Sequence, residues 1–213
     1  ADMLVKGGAT VLFSEVTEVR DGVHYLAERC ISPEVRDKLA AEMRWYDNYL
    51  AEGEVDRSAN PTPGNKKGGI STLEDKSLGC TQKSGSAPVA DVLSYGQPVQ
   101  TKGLNLLSAP GNDLVASTAL AASGAQIVLF TTGRGTPFAS PVPTVKISSN
   151  TKLYENKKNW IDFNCGALVD GGSIPEMGES LFDYVLEVAS GCPVKAEEAG
   201  FHDMAIFKQG VTL

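Results

Sequence analysis

The chain has 213 residues, 42% of them apolar, which is enough for one large domain or two small ones with a substantial core. Its formal net charge of −7 excludes nucleic acid as a general partner, because no basic face dominates the composition. No apolar run approaches the roughly 18 residues that a membrane-spanning helix needs. The four cysteines are scattered without metal-site spacing, so we expect reduced thiols and a cytoplasmic protein.

The first third of the chain contains one predicted strand and two predicted helices. The apolar run in 8–15 predicts a buried strand. The segment 32–54 is the clearest helix, because it opens with a capping serine and a proline and keeps helical apolar spacing. A second helix is predicted in 71–85, with a capping box formed by Ser71 and Glu74.

From residue 87 onward, predicted strands and helices alternate. They are strands in 87–96 and 103–110, a helix in 112–124, strands in 125–133 and 143–150, and helices in 150–168 and 173–191. This alternation predicts a single α/β domain over 1–213, with a largely parallel sheet and helices on both faces. The fold would be Rossmann-like but would not bind a dinucleotide, because the GxGxxG signature is lacking.

Ligands of parallel sheets bind at the loops that follow the carboxyl ends of the strands. The first such loop, SEVTE, contains Glu15 and Glu18, and His24 follows closely. Carboxylates and an imidazole are groups that bind a divalent metal or move a proton, so Glu15 is a candidate for either role. The ordinary alternative is a set of acids on a solvated loop, and the sequence favours neither.

The proline- and glycine-rich segment NPTPGNKKGG (60–69) is predicted to be an irregular loop at a helix entry. Asn65, Lys66 and Lys67 lie in it, where glycines would let backbone amides approach a bound anion. Lys66 is the candidate base or electrostatic stabiliser, and its two neighbours are candidates for binding the substrate. A solvated surface turn is the alternative.

Two further segments carry candidate site residues. Arg134 lies between two glycines in TTGRGTPF, where its guanidinium could bind a carboxylate, and Thr131 and Thr132 add hydroxyls. Asp162, in the apolar frame of WIDFNCG, is a candidate catalytic acid or metal ligand. The alternatives are an ion pair between Arg134 and a structural acid, and a capping role for Asp162.

Four longer segments carry a resemblance to a known family. They are FSEVTEVRD (13–21), YDNYL…DRSANPTPGNKKGG (46–69), FTTGRGTPF (130–138) and NTKLYENKKNWIDFNCG (150–166). Together they resemble the C-terminal portion of the altronate and galactarate dehydratase family, over nearly the whole chain. The resemblance implies a cytoplasmic hydro-lyase that removes water across C2 and C3 of a sugar acid and gives a 2-keto-3-deoxy acid.

The resemblance also implies a divalent cation, Fe²⁺ or alternatively Mn²⁺. Family members carry a small N-terminal domain and a central domain ahead of this region, so we expect a fragment that is inactive alone. The opening of the chain in the middle of an element agrees with this expectation. A homodimer is permitted by the sequence but not required.

Two alternatives to a sugar-acid dehydratase stay open from the sequence. Related proteins of the family cleave sulfolactate and eliminate sulfite instead of water, and the cationic loops suit either anion. A non-catalytic α/β module that binds an anionic ligand or docks a partner subunit would have the same composition. Enolate chemistry needs cations beside the developing charge, which Lys67 and Arg134 would supply in a dehydratase.

Overall fold

The computed structural model describes residues 1–54 and 60–208 of the chain. The segments 55–59 and 209–213 lie outside the described residues, and the first of them belongs to the motif 46–69 quoted above. None of the described helices combines the length and the apolarity that crossing a bilayer requires. Helices alternate with parallel strands in the described part, which confirms the predicted α/β fold.

The chain divides into two compact units, and residues 1–123 form the first together with the segment that begins at Ile206. The first unit opens with α1 (Asp2–Lys6), β1 (Val11–Phe13), the 3₁₀ turns Val16–Glu18 and Arg20–Gly22, and α2 (Val23–Ala27). It continues with α3 (Pro33–Glu52), α4 (Pro63–Lys67), α5 (Leu73–Lys83), β2 (Val89–Leu93), β3 (Leu104–Leu107) and α6 (Asp113–Ala122). Its described strands form a parallel sheet in the order β1-β3-β2.

Residues 124–205 form the second unit. Its elements are β4 (Val128–Thr132), β5 (Thr144–Ser148), α7 (Thr151–Asn156), β6 (Phe163–Asn164), the 3₁₀ turn Gly166–Leu168, α8 (Ile174–Ala189) and α9 (Lys195–Glu198). The described strands again pair in parallel, in the order β4-β5-β6. The parallel strands that the sequence predicted as one sheet are therefore divided between two sheets.

The middle strand of each sheet is fully buried, as expected for strands of parallel sheets. In β3, Leu104, Leu106 and Leu107 expose none of their surface. In the first unit, Leu26 and Leu39 from the helices pack into the same core as β3. Each fully buried leucine stabilises the fold by about 1.5–3 kcal/mol, so this core contributes strongly to the stability of the first unit.

Two local predictions are corrected by the structure. α5 begins one residue later than predicted, because Thr72 and Asp75 form the capping box, with Thr72 Oγ1 accepting from Asp75 N at 3.0 Å. The segment 150–168 is not one helix, since α7 ends at Asn156 and the chain then pairs with β5 as β6. Burial of Ile161 beside the sheet outweighs the helical pattern there.

Two glycines test this packing in opposite directions. Gly79 is exposed inside α5, and a methyl group there would meet no atom within 4 Å. Gly79→Ala should therefore raise the free energy of unfolding by about 0.5–1 kcal/mol, because alanine loses less backbone entropy.

A methyl group on Gly166 would overlap with the Thr151 backbone and hydroxyl. Gly166→Ala should therefore lower the free energy of unfolding by about 1–3 kcal/mol.

Urea unfolding of both variants measures these changes. Equal effects of the two substitutions would contradict the packing described for Gly166.

Candidate functional site

The strands of the first sheet end at one edge because they run parallel. Glu15 and Glu18 follow β1 at this edge, and the turn after β3 leads to Asp113 at the start of α6. Two side chains of α5, Lys76 and Lys83, meet the two glutamates there. We call these five residues the acid–lysine cluster.

Each glutamate of the acid–lysine cluster is held by one lysine. Lys83 Nζ lies 2.8 Å from both carboxylate oxygens of Glu15, and Lys76 Nζ lies 2.9 Å from Glu18 Oε2. Asn60 joins the second pair, since its side chain donates to Glu18 (3.3 Å) and accepts from Lys76 (2.7 Å). The glutamates therefore belong to an ordered network and are not simply acids on a solvated loop.

Asp113 differs from the two glutamates, because its carboxyl makes no hydrogen bond or ion pair with another residue in the described part of the chain. Burial of this carboxyl raises its pKa, and the Glu15 carboxylate raises it further, against the opposing charge of Lys83. The residue is nevertheless exposed. The cluster thus offers an accessible carboxyl that holds a proton more tightly than a free aspartate does.

Lys83 and the Cys80 thiol, both close to Glu15, keep their ordinary protonated forms. Burial lowers the pKa of Lys83, but the Glu15 carboxylate outweighs this effect and the pKa lies above its usual value. Burial and the Glu15 carboxylate raise the pKa of Cys80 to about 12, so this thiol is not a nucleophile. Lys83 is therefore a cation at this site and not a base.

The structure does not bring Glu15, Glu18 and His24 together as the predicted metal ligands. Both glutamates are occupied by lysines, and His24 is exposed on α2 with its ring centroid 4.0 Å from that of Tyr25. Within residues 1–54 and 60–208, no group of three or more His, Cys, Asp and Glu side chains is arranged to bind a metal. The residues proposed as ligands do not fit a divalent cation.

The segment 60–69 contains the short helix α4 where an irregular loop was predicted. Asn65 Oδ1 accepts from Thr62 N at 3.2 Å, while Thr62 Oγ1 accepts from Asn65 N at 3.2 Å, so Asn65 is engaged in a capping box. Lys66 and Lys67 lie exposed in the last turn of α4, at the negative end of the helix and not at a helix entry. The proline at the first helical position favours this helix.

In the second unit, β4 ends at Thr132 and leads into the loop that carries Arg134. Thr132 Oγ1 accepts from the backbone N–H three residues later at 2.9 Å, and Asn150 Nδ2 donates to the carbonyl just before Arg134 at 3.1 Å. The loop is therefore fixed on both sides of Arg134. The exposed guanidinium forms no ion pair with a described acid, and Thr131 is also exposed.

Asp162 joins β5 to α9 through both of its carboxylate oxygens. One accepts from Lys146 N at 2.7 Å and the other from Lys195 N at 2.9 Å. Burial raises the pKa of Asp162, and these two backbone donors oppose the increase. The structure shows a joining role for Asp162, and its catalytic role stays a prediction.

Among the described residues, Lys146 is a deeply buried charged residue that the sequence analysis did not single out. It lies in the middle of β5 and exposes 1% of its surface. Its ammonium donates to Thr136 O at 2.7 Å and lies 5.6 Å from the centre of the Phe138 ring, so it fixes the loop that carries Arg134. Burial lowers its pKa to about 8.

One sequence signal could have found the lysines of the first unit. Lys76, Cys80 and Lys83 follow one another at spacings of four and three, which places them on one face of α5. The sequence also marks Asp113 as the first residue of a helix, because it directly follows the capping Asn112. No comparable signal exists for Lys146, because the charge is hidden inside an otherwise buried strand.

The family model described as D-galactarate/Altronate dehydratase, C-terminal, matches residues 1–212. The chain belongs to this family. The family assignment agrees with the resemblance drawn from the four motifs, two of which, 13–21 and 130–138, contain the loops that follow β1 and β4.

Three relatives of the chain differ in their named activities. The chain is 53% identical to altronate dehydratase of Bacillus subtilis, over 99% of this chain and 42% of that protein. It is 45% identical to galactarate dehydratase (L-threo-forming) of Escherichia coli, over 97% of this chain and 40% of that protein. The (2R)-sulfolactate sulfo-lyase subunit beta of Chromohalobacter salexigens is 30% identical, over 96% of this chain and 54% of that protein.

The buried Lys146 predicts a pH-dependent stability. Its folded pKa of about 8 lies below the ordinary 10.5, so between these values the unfolded chain binds more protons than the folded chain. The contribution of Lys146 to the free energy of unfolding should therefore rise with pH across this window, by up to about 3 kcal/mol, while the raised pKa of Cys80 contributes with the opposite sign. Lys146→Met should make the slope of the free energy of unfolding against pH less positive, whereas Lys152→Met, at an exposed position in the same unit, should leave the slope unchanged.

Urea unfolding at several pH values across this window measures the slope for each variant. If the free energy of unfolding changed with pH at the same slope in the Lys146→Met variant and the unsubstituted chain, Lys146 would not contribute to this slope.

Proposed function

We propose that this chain is the C-terminal region of a sugar-acid dehydratase that acts on altronate or galactarate. The observation that carries the proposal is the identity of 53% and 45% with an altronate and a galactarate dehydratase, over almost the whole chain. The chain spans about two fifths of those two proteins. Activity therefore belongs to the complete enzyme, and we propose that the isolated region is inactive.

The acid–lysine cluster supports the proposal chemically. A dehydratase removes the proton beside a carboxylate and expels a hydroxyl from the next carbon, giving an enol that becomes a 2-keto-3-deoxy acid. Charge develops on the carboxylate during this step, and ammonium groups stabilise it. Lys83 and Lys76 are such groups, and each is already held in place by a glutamate.

In this proposal the substrate carboxylate binds beside the lysines of the cluster. Glu15 keeps Lys83 charged through its direct contact, and Glu18 with Asn60 keeps Lys76 in position. Lys67 remains a candidate for binding substrate oxygens and Lys66 remains the candidate base, because both side chains are exposed and accessible. Arg134 of the second unit, taken by itself, remains a candidate for binding a carboxylate.

The divalent cation, Fe²⁺ or Mn²⁺, is proposed for the complete enzyme only. A bound cation would stabilise the enolate as a Lewis acid. Glu15, Glu18 and His24 are not arranged to bind a divalent cation, so no step of the proposed reaction uses a metal on these residues. The free cysteines of the described chain are in keeping with a cytoplasmic location, which is likewise a proposal.

A sulfo-lyase is the second candidate function. The observation that favours it is the 30% identity with a sulfolactate sulfo-lyase subunit. Both reactions begin with a proton beside a carboxylate, so the same lysines would serve either substrate. The lower identity makes this the second choice.

A substrate screen of the full-length parent protein tests the proposal. The enzyme would be supplied anaerobically with Fe²⁺ and given altronate, galactarate and sulfolactate, with 2-keto acid and sulfite measured separately. We expect a 2-keto-3-deoxy acid from altronate or galactarate. Release of sulfite alone would favour the sulfo-lyase. Formation of neither product from any of the three substrates would favour a non-catalytic module that binds an anion.

The role of Lys83 is tested against a matched ion pair. Lys38 pairs with Asp91 at 2.6 Å and is about as exposed as Lys83, with 52% and 45% of the two side chains accessible. Lys83→Met should lower kcat/KM of the full-length enzyme by about 10²-fold, whereas Lys38→Met should leave it unchanged.

Both substitutions should change stability by no more than about 1 kcal/mol, because exposed ion pairs contribute little. If the two variants had equal kcat/KM, Lys83 would not belong to the substrate site.

A further inference from the structure

Thr17 lies between the two glutamates of the acid–lysine cluster in the chain and joins two strand ends of the first sheet. It exposes only 2% of its surface. Its hydroxyl donates to Ala109 O at 2.7 Å. Ala109 comes two residues after the end of β3 and is itself buried. The bond therefore connects the segment that follows β1 with the segment that follows β3.

The helices that follow the neighbouring strands β1 and β3 pack on opposite faces of the sheet. Phe13 of β1 and Leu106 of β3 share a core cluster with residues of α2, α3 and α5, whereas Leu107 of β3 shares another with α6. Such a pair of strands forms a topological switch point, and ligands of α/β sheets bind at the carboxyl ends of the strands there. The bond made by Thr17 thus lies at the switch point of the first sheet.

A single turn, residues 15–18, carries both glutamates and is held by hydroxyl groups on two sides. Within it, Glu18 N donates to Glu15 O at 3.0 Å. On the helical side, Ser77 Oγ of α5 donates to Glu18 O at 2.9 Å and accepts from Asp21 N at 3.4 Å. On the side of β3, Thr17 supplies the bond described above. Buried hydroxyls therefore fix the backbone from which the two carboxylates extend.

The two carboxylates of this turn in turn hold the lysines of α5. Lys83 Nζ lies 2.8 Å from both carboxylate oxygens of Glu15, and Lys76 Nζ lies 2.9 Å from Glu18 Oε2. The ammonium group of a lysine stands on a flexible four-carbon stem, so the position of its charge depends on its partner. A movement of the turn would therefore displace both positive charges.

We propose that Thr17 is a positioning residue of the substrate site, an assignment that rests on the proposed function. Its bond to Ala109 fixes the turn, and the glutamates of the turn hold Lys83 and Lys76 at the switch point, where the substrate carboxylate binds. Thr17 is itself buried, so it acts through the lysines and not by contact with the substrate. Catalysis depends on such placement, because a displacement of about 1 Å can cost about 10²-fold in rate.

Thr17→Val in the full-length enzyme tests this assignment, because valine keeps the branched shape and removes the hydroxyl. We expect kcat/KM for the sugar acid to fall by about 10²-fold. Thr17→Ser keeps the hydroxyl and should stay within about threefold of the unsubstituted enzyme. The matched control is Thr81→Val, at a position that exposes 6% of its surface and whose hydroxyl donates to Ser77 O at 2.9 Å inside α5. This control should likewise stay within about threefold.

A double substitution separates positioning from a merely structural role. Lys83→Met removes one of the two charges that Thr17 positions, so Thr17→Val should cost about tenfold or less in that background, against about 10²-fold alone. A structural role would give the same loss in both backgrounds. Equal losses, or activity of Thr17→Val within about threefold of the unsubstituted enzyme, would overturn the positioning role.

Ser77→Ala releases the same turn on the side of α5 and replaces Thr17→Val if that variant does not fold. We expect kcat/KM to fall by about tenfold or more, with a smaller loss in the Lys83→Met background. Equal losses in the two backgrounds would again overturn the assignment. If the unsubstituted full-length enzyme turned over none of altronate, galactarate and sulfolactate, the proposed function itself would fail, and this assignment with it.

Discussion

Parallel pairing on a buried central strand is the constraint from which the arrangement of the first unit follows. Because β1, β2 and β3 run the same way, their carboxyl ends meet at one edge. The buried leucines of β3 fix the register, and a slip of one residue would turn its side chains to the opposite face. The polar residues after the strands are therefore brought together by the packing of apolar ones.

Ion pairing then distinguishes the polar residues at this edge from one another. α5 places two lysines on one face, and each neutralises one glutamate that follows β1. Paired in this way, the glutamates act as supports that hold cations in place. The carboxyl on α6 receives no such partner. Sequence position alone would rank the three acids alike, but two of them are paired with lysines and the third has no such pair among the described residues.

The fold was largely predictable because it depends on local patterns, while the site depends on which faces meet. Apolar runs identified the strands, and Glu15 and Glu18 were found because a strand end is visible in sequence. Lys76 and Lys83 were missed because helical spacing shows a face but not what that face contacts. Asn65 was misplaced since a capping box was taken for a loop. Lys146 was missed because lysine is rarely buried.

The return of the chain to its first unit has a consequence for how the protein can be divided. Phe207 packs against Tyr49 and Tyr95, with ring centroids 5.4 and 5.2 Å apart, so the aromatic cluster beside α3 includes a residue from near the end of the chain. The second unit is thus an insertion within the first in chain order. A cut at residue 123 would separate Phe207 from the aromatic residues it packs against, whereas a chain without 124–205 would still contain all three of these aromatic residues.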